Sequence, residues 1–218
     1  MGSRPAAGGG RWVEVDPERL PRWLAGFRER HGDVIARRLP DGLALTAADG
    51  EVAECHLLLG SAGDLDDLAT EALRPHRLGL LLVRRGGYGI GVAQGTELVE
   101  SKVGSRYVQS RTAAGGWSQQ RFARRRDNQA RAAAGETVDT VLRLLVPQAK
   151  VLDALVTGGD RRLVDEVLAD PRLAPLRELR AERFLDVPDP KLAVLKTAVA
   201  GARKVRIRLP DTGSGPSG

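Results

Sequence analysis

Residues 78–93 read LGLLLVRRGGYGIGVA. The first six, Leu78-Gly79-Leu80-Leu81-Leu82-Val83, form a short apolar run that ends at two arginines. Such a run predicts a strand buried on both faces. Arg84 to Gly87 supplies a turn. Tyr88–Ala93 and Glu97–Val103 alternate apolar and polar residues, with a Gly-containing turn near Gln94–Gly95. Arg106–Ser110 reads as one more strand. Together they predict an antiparallel meander. The glycines of Gly87-Tyr88-Gly89-Ile90-Gly91 have a superficial likeness to a nucleotide loop. No helix follows them, so the dinucleotide fingerprint fails.

Downstream of the meander, helices alternate with strands. Ser118–Ala134 and Val138–Leu145 read as helix, and Val151–Val156 as a buried strand. Gly158-Gly159-Asp160 turns into a helix over Arg161–Leu168. Phe184–Val187 reads as an extended segment. Lys191–Ala202 is a helix with Leu192, Leu195 and Val199 on one face. Val205–Leu209 is a last strand, with Arg206 and Arg208 alternating outward.

Upstream, Leu20, Trp23, Leu24 and Phe27 recur at helical spacing within Asp16–His31. Asp16 suits the N-cap and Pro17 the first helical position. Trp23 on that face is assigned to the core. Val34–Arg38, Leu43–Thr46 and Val52–Leu59 read as strands, and Asp64–Leu73 as a helix. The fold class is therefore α/β, with a mixed, mainly antiparallel sheet and flanking helices. Residues 1–11 and 211–218 are rich in Gly, Ser, Pro and Ala and predict disordered tails. Residues 12–75 form an N-terminal α/β region, and 76–210 the main domain.

Composition bounds the function. The chain has 218 residues, enough for one large domain or two small ones. Aromatics are only 4%, so the core must be built from Leu, Val and Ala. The net charge of +6 points to a polyanionic partner, more so where the charge is clustered. A single cysteine, Cys55, excludes an intramolecular disulfide and a Cys-rich zinc site. His31, His56 and His76 have no metal spacing. Cys55 and His56 are adjacent in a predicted strand and so point to opposite faces, which disfavours a catalytic dyad. No apolar run approaches the ~20 residues that span a bilayer. The opening MGSRPAAGGG has no hydrophobic segment, so the expectation is a cytoplasmic protein without a membrane partner.

The chemistry concentrates in Gly115-Gly116-Trp117-Ser118-Gln119-Gln120 and the helix behind it. Gly115 and Gly116 reach φ > 0 and let another backbone approach closely, so the loop suits a narrow site. Ser118, Gln119 and Gln120 are neutral hydrogen-bonding groups, none of them a base at neutral pH. Such a loop can orient a water or stabilise an oxyanion, with the remaining groups supplied by substrate or partner. Behind it stand Arg121, Arg124, Arg125, Arg126 and Arg131, against Asp127 alone. Arg121, Arg124 and Arg125 share a helix face, and the arginine fork suits phosphate. Phe122 either stacks on a base or anchors the helix to the sheet. On the residues alone, a solvated arginine helix behind a Gly-rich hairpin remains an equal reading.

The stretch GGWSQQRFARRR, residues 115–126, resembles the signature of the middle domain of archaeal and eukaryotic class I translation release factors. That signature is Gly-Gly-Gln, then Ser, then two small or apolar residues, then an Arg-Phe-Ala-Arg-x-Arg helix. Gly115, Gly116, Ser118, Arg121, Phe122, Ala123, Arg124 and Arg126 match it. The family's glutamine position falls on Trp117, and glutamines follow two and three residues later. Trp117-Ser118-Gln119 and Arg125-Arg126-Asp127-Asn128-Gln129 are similar to the Gly-Ser-Gln loop and helix of Vms-like release factors. So is the tail, from Ala174-Pro175-Leu176 through extended Phe184–Pro188 to Pro190-Lys191 and a basic helix. The chain thus resembles an actinobacterial branch of that family over roughly residues 77–209.

The resemblance implies a ribonuclease-H-like domain of release-factor middle-domain type. It implies hydrolysis of the ester in peptidyl-tRNA, for ribosome rescue and quality control, with no cofactor and no metal. Gln119 or Gln120 would place the water, and Gly115, Gly116 and Ser118 would shape the loop. Arg111, Arg121, Arg124, Arg125 and Arg126 would hold RNA. The partners implied are the large ribosomal subunit at its peptidyl transferase centre, peptidyl-tRNA and ribosomal RNA, with the protein a monomer. The alternative is a non-catalytic ribosome- or RNA-binding protein. No metal, nucleophile or phosphate-loop constellation supports a metabolic enzyme.

Overall fold

The computed structural model describes residues 3–6, 9–105 and 135–211. The expected disordered C-terminal tail lies, apart from Asp211, outside these residues, as do the strand expected at Arg106–Ser110 and the helix expected at Ser118–Ala134. The chain divides into two compact units, one of Met1–Arg74 with Ala200–Gly218, the other of Pro75–Val199.

The first unit is a six-stranded antiparallel sheet. Its strands are β1 (Ser3–Pro5), β2 (Arg11–Val15), β3 (Val34–Leu39), β4 (Gly42–Ala47), β5 (Val52–His56) and β11 (Val205–Leu209), in the order β1-β2-β11-β5-β4-β3. Strand alternation sends Val15, Leu43, Leu45, Ala53, Cys55, Val205 and Ile207 into one core. Helices α1 (Leu20–His31) and α2 (Leu65–Leu73) add Leu20, Leu24, Phe27, Leu68 and Ala72 to it. Trp23 packs against this core, stacked on Phe27 at 5.4 Å. The opposite alternation carries polar pairs, such as Arg208 with Glu54 at 3.2 Å. There the Arg206 guanidinium lies 4.4 Å from the centroid of Trp12.

Three local expectations differ here. Where the sequence predicts an unstructured tail, Ser3–Pro5 pairs antiparallel with β2 through the register Arg4↔Trp12. Gly9 and Gly10, both at positive φ, turn the chain between them. Asp16 and Pro17 begin a short 3-10 turn, Pro17–Arg19, and the α-helix proper starts at Leu20. The strand expected over Val52–Leu59 stops at His56, because the Leu57 amide bonds the Asp41 carbonyl in the neighbouring turn.

The second unit is a five-stranded sheet of mixed direction. The meander is β6 (Arg77–Arg84), β7 (Gly87–Gln94) and β8 (Glu97–Ser105), paired antiparallel. Strand β9 (Ala154–Gly159) lies parallel to β6, and β10 (Arg180–Leu185) parallel to β9. The order is β10-β9-β6-β7-β8, so the apolar run 78–83 lies at the centre and is buried. This is the mixed α/β class that the meander and the later βα alternation predict.

Helix α3, described over residues 135–144, and helices α4 (Arg161–Leu168) and α5 (Ala174–Glu178) cover one face. They contribute Val138, Val141, Leu144, Val164, Val167, Leu168 and Leu176 to a core with Leu81, Val83, Tyr88, Ile90 and Val92. On the other face Gly89 lets Leu195 of α6 (Leu192–Arg203) approach. Leu195 and Val199 are buried, while Leu192 of the same expected face is exposed. Strand β9 begins three residues later than expected. Val146–Gln148 forms a 3-10 turn, a further turn follows over 149–151, and pairing with β6 opens only at Leu78↔Ala154. The extended segment expected from Phe184 is the end of a strand that starts at Arg180.

Candidate functional site

The expected site residues Arg111, Gly115, Gly116, Ser118, Gln119, Gln120, Arg121, Arg124, Arg125 and Arg126 all lie outside the described residues. So do Trp117 and Phe122. The described residues on either side of them are Ser105 in β8 and Gly135 in α3.

One side chain touches a neighbour of each. Tyr88 of β7 is paired opposite Gly104 of β8. Its ring lies over that glycine, where a Cβ would stand 2.7 Å from the phenol oxygen. The same hydroxyl donates to Oε1 of Glu136 at 3.0 Å and lies 3.2 Å from Oγ1 of Thr140, both on α3. The Thr140 hydroxyl also donates to the Glu136 carbonyl at 2.9 Å. Tyr88 is 3% exposed. Burial raises its pKa, and the Glu136 carboxylate raises it further, so the phenol keeps its proton as a donor. Neither Tyr88 nor Glu136 was singled out from the sequence. The available signal was a large aromatic between glycines in a chain poor in aromatics.

Beside these residues, Arg84 at the end of β6 secures the segment that leads to α6. Its Nη1 donates to the Val187 carbonyl at 2.6 Å, and its Nε lies 3.9 Å from Asp189. The expected extended tail and helix start at Pro190-Lys191 are thus fixed to the turn of the meander, with the Leu195 amide bonding the Lys191 carbonyl. Asp160 accepts from the Leu163 amide and caps α4, directly after the Gly158-Gly159 end of β9.

Cys55 and His56 lie on opposite faces of β5. Cys55 is fully buried in the first core, and burial pushes its thiol up to about 12. His56 faces away, its Nδ1 3.0 Å from the Asp41 carboxylate. Among the described residues no helix is long and apolar enough to cross a membrane.

Comparison with known proteins supplies the family. The chain is similar to the crystal structure of an archaeal translation termination factor, aRF1, at 18% identity and TM-score 0.44, over 73% of this chain and 46% of that one. A second archaeal protein gives 18% identity and TM-score 0.37, over 72% of this chain and 51% of that one. Archaeoglobus fulgidus Pelota gives 11% identity and TM-score 0.33, over 93% and 65%. The chain spans about half the length of the two archaeal structures named first. Among curated proteins none matches it. The model of one family, described as the Actinobacteria/chloroflexi VLRF1 release factor, matches residues 76–208. With more than half of its length matched, through the meander, the loop segment and the tail, the chain belongs to the Actinobacteria/chloroflexi VLRF1 release factor family.

Proposed function

We propose that the chain is a peptidyl-tRNA hydrolase that frees nascent peptides from stalled ribosomes in the cytoplasm. The observation that carries this is the family match over residues 76–208, which encloses the loop 115–120. Water attacks the carbonyl carbon of the ester between peptide and transfer RNA. The carbon–oxygen bond to the ribose breaks, the ribose oxygen takes a proton, and the peptide leaves as its acid. Gln119, or Gln120 beside it, orients the water through its side-chain amide. Backbone amides of the loop face the developing oxyanion. A glutamine is no base, so the proton passes to groups of the transfer RNA and the large subunit. Gly115, Gly116 and Ser118 let the loop enter the peptidyl transferase centre. Arg111, Arg121, Arg124, Arg125 and Arg126 bind phosphates of ribosomal or transfer RNA.

The test is release of peptide from stalled ribosome–nascent chain complexes. The change Gln119→Ala together with Gln120→Ala is expected to slow release by about 100-fold or more. Release at the wild-type rate would exclude both glutamines, and the two single changes tell them apart.

A second reading, a non-catalytic ribosome or RNA binder, is favoured by Trp117 at the place of the release-factor glutamine. It requires co-sedimentation with ribosomes and no release by the wild type. Binding weakens steeply with salt under either reading, so salt does not separate them.

A further inference from the structure

The reactive loop of the proposed hydrolase carries neither acid nor base, so its rate depends on where it is held. Misplacement by about 1 Å can cost on the order of 100-fold in rate. Gly104 and Glu136 stand just outside residues 106–134, and Tyr88 contacts both. Its ring is seated on Gly104, at a place no other residue type could occupy without displacing it. Its hydroxyl reaches Glu136 and Thr140 on the returning helix. The ring itself is fixed by the core beneath the sheet, among Ile90, Val138 and Val141. The outgoing strand and the returning helix are thus tied to one buried, rigid group.

We infer that Tyr88 is a positioning residue for release: its phenol, seated on Gly104 and bonded to Glu136 and Thr140, holds together the two ends of the segment that carries Gln119 and Gln120. This rests on the hydrolase reading for its catalytic consequence, and on geometry alone for the clasp. Tyr88→Phe keeps the ring in the core and removes only the hydroxyl. Glu136→Gln keeps an oxygen that accepts from the phenol, whereas Glu136→Ala does not.

The experiment uses the full chain in two measurements. In single-turnover release from stalled ribosome–nascent chain complexes, Tyr88→Phe and Glu136→Ala are expected to lower the rate at saturating protein by about tenfold or more. The half-saturating concentration should stay unchanged, and Glu136→Gln should restore most of the rate. In hydrogen exchange of the free protein, Tyr88→Phe should speed the amides of residues 104–105 and 136–140, and leave β6 and β9 unchanged. Wild-type release by Tyr88→Phe would overturn the positioning role. Unchanged exchange at both ends would overturn the clasp. A wild type that releases no peptide would overturn the hydrolase reading and the catalytic consequence, while exchange would still decide the clasp.

Discussion

Cys55 and His56 are neighbours on β5 and face opposite sides of the first sheet, one sealed in the core and one bonded to Asp41. Their separation has a measurable consequence in pH. The folded thiol sits at about 12, well above the ordinary value of about 8.5. Below about pH 8.5 both folded and unfolded chains keep the proton and this group leaves stability unchanged. Above that the unfolded chain ionises first, so stability falls by about 1.4 kcal/mol per pH unit from this group, up to its folded value. Cys55→Ala removes that loss. Urea unfolding at pH 8 and pH 10 should show the wild type losing on the order of 1–2 kcal/mol more than the variant. Equal losses in the two proteins would show that the thiol is not desolvated.

Two glycines should respond with opposite signs. Gly159, at φ 97°, ends β9 where a Cβ would overlap the Val83 carbonyl oxygen. That neighbour is backbone and cannot swing away, so Gly159→Ala should destabilise by more than about 1 kcal/mol. Gly201 lies within α6, with open space around its Cβ position. There Gly201→Ala should stabilise by about 0.5–1 kcal/mol. Thermal or urea melts of the two variants check both signs.

Two of the aspartates that cap helices, Asp160 and Asp64, differ in exposure. Asp160 accepts from the part-buried Leu163 amide at 3.3 Å, and Asp64 from the exposed Asp67 amide at 2.9 Å. Each replacement by alanine should cost about 1 kcal/mol, more where water cannot replace the lost acceptor. Asp160→Ala should therefore be the more costly, measured as the shift in urea midpoint. The reverse order would place the water-excluded cap at Asp64.

The arginine cluster is tested by salt rather than by activity. If Arg124 and Arg125 each bind a phosphate, replacing either with alanine should lower the slope of log affinity against log salt by about 0.7–0.9. Ribosome co-sedimentation across a salt series measures it. An unchanged slope would make that arginine part of a solvated face.

The elements most legible in the sequence were those with strong local period. The apolar run 78–83, the alternation of Tyr88–Ala93 and the helix Arg161–Leu168 stand where their patterns place them. Boundaries set by a partner elsewhere were less legible. Val151 and Leu152 continue an apolar pattern, yet β9 starts at Ala154 because only there does β6 offer its ladder. The glutamines and arginines proposed for the site were named from type and order, and lie outside the described residues. Tyr88 could not be named so, because its role comes from a strand opposite it and a helix more than forty residues away.

The sequence by itself determined the strongly periodic elements, the apolar run 78–83 and the helices over Leu20–His31 and Arg161–Leu168, since their patterns follow from spacing along the chain. Tertiary structure alone decided that Val205–Leu209, expected in the main domain, lies between β2 and β5 in the first sheet. It alone decided that β6 takes β9 as its parallel neighbour, and that Tyr88 joins Gly104 to Glu136. Strand pairing satisfies backbone groups that are identical in every residue. The choice of partner therefore rests on the fit of whole faces across the fold, and no local window of sequence contains it.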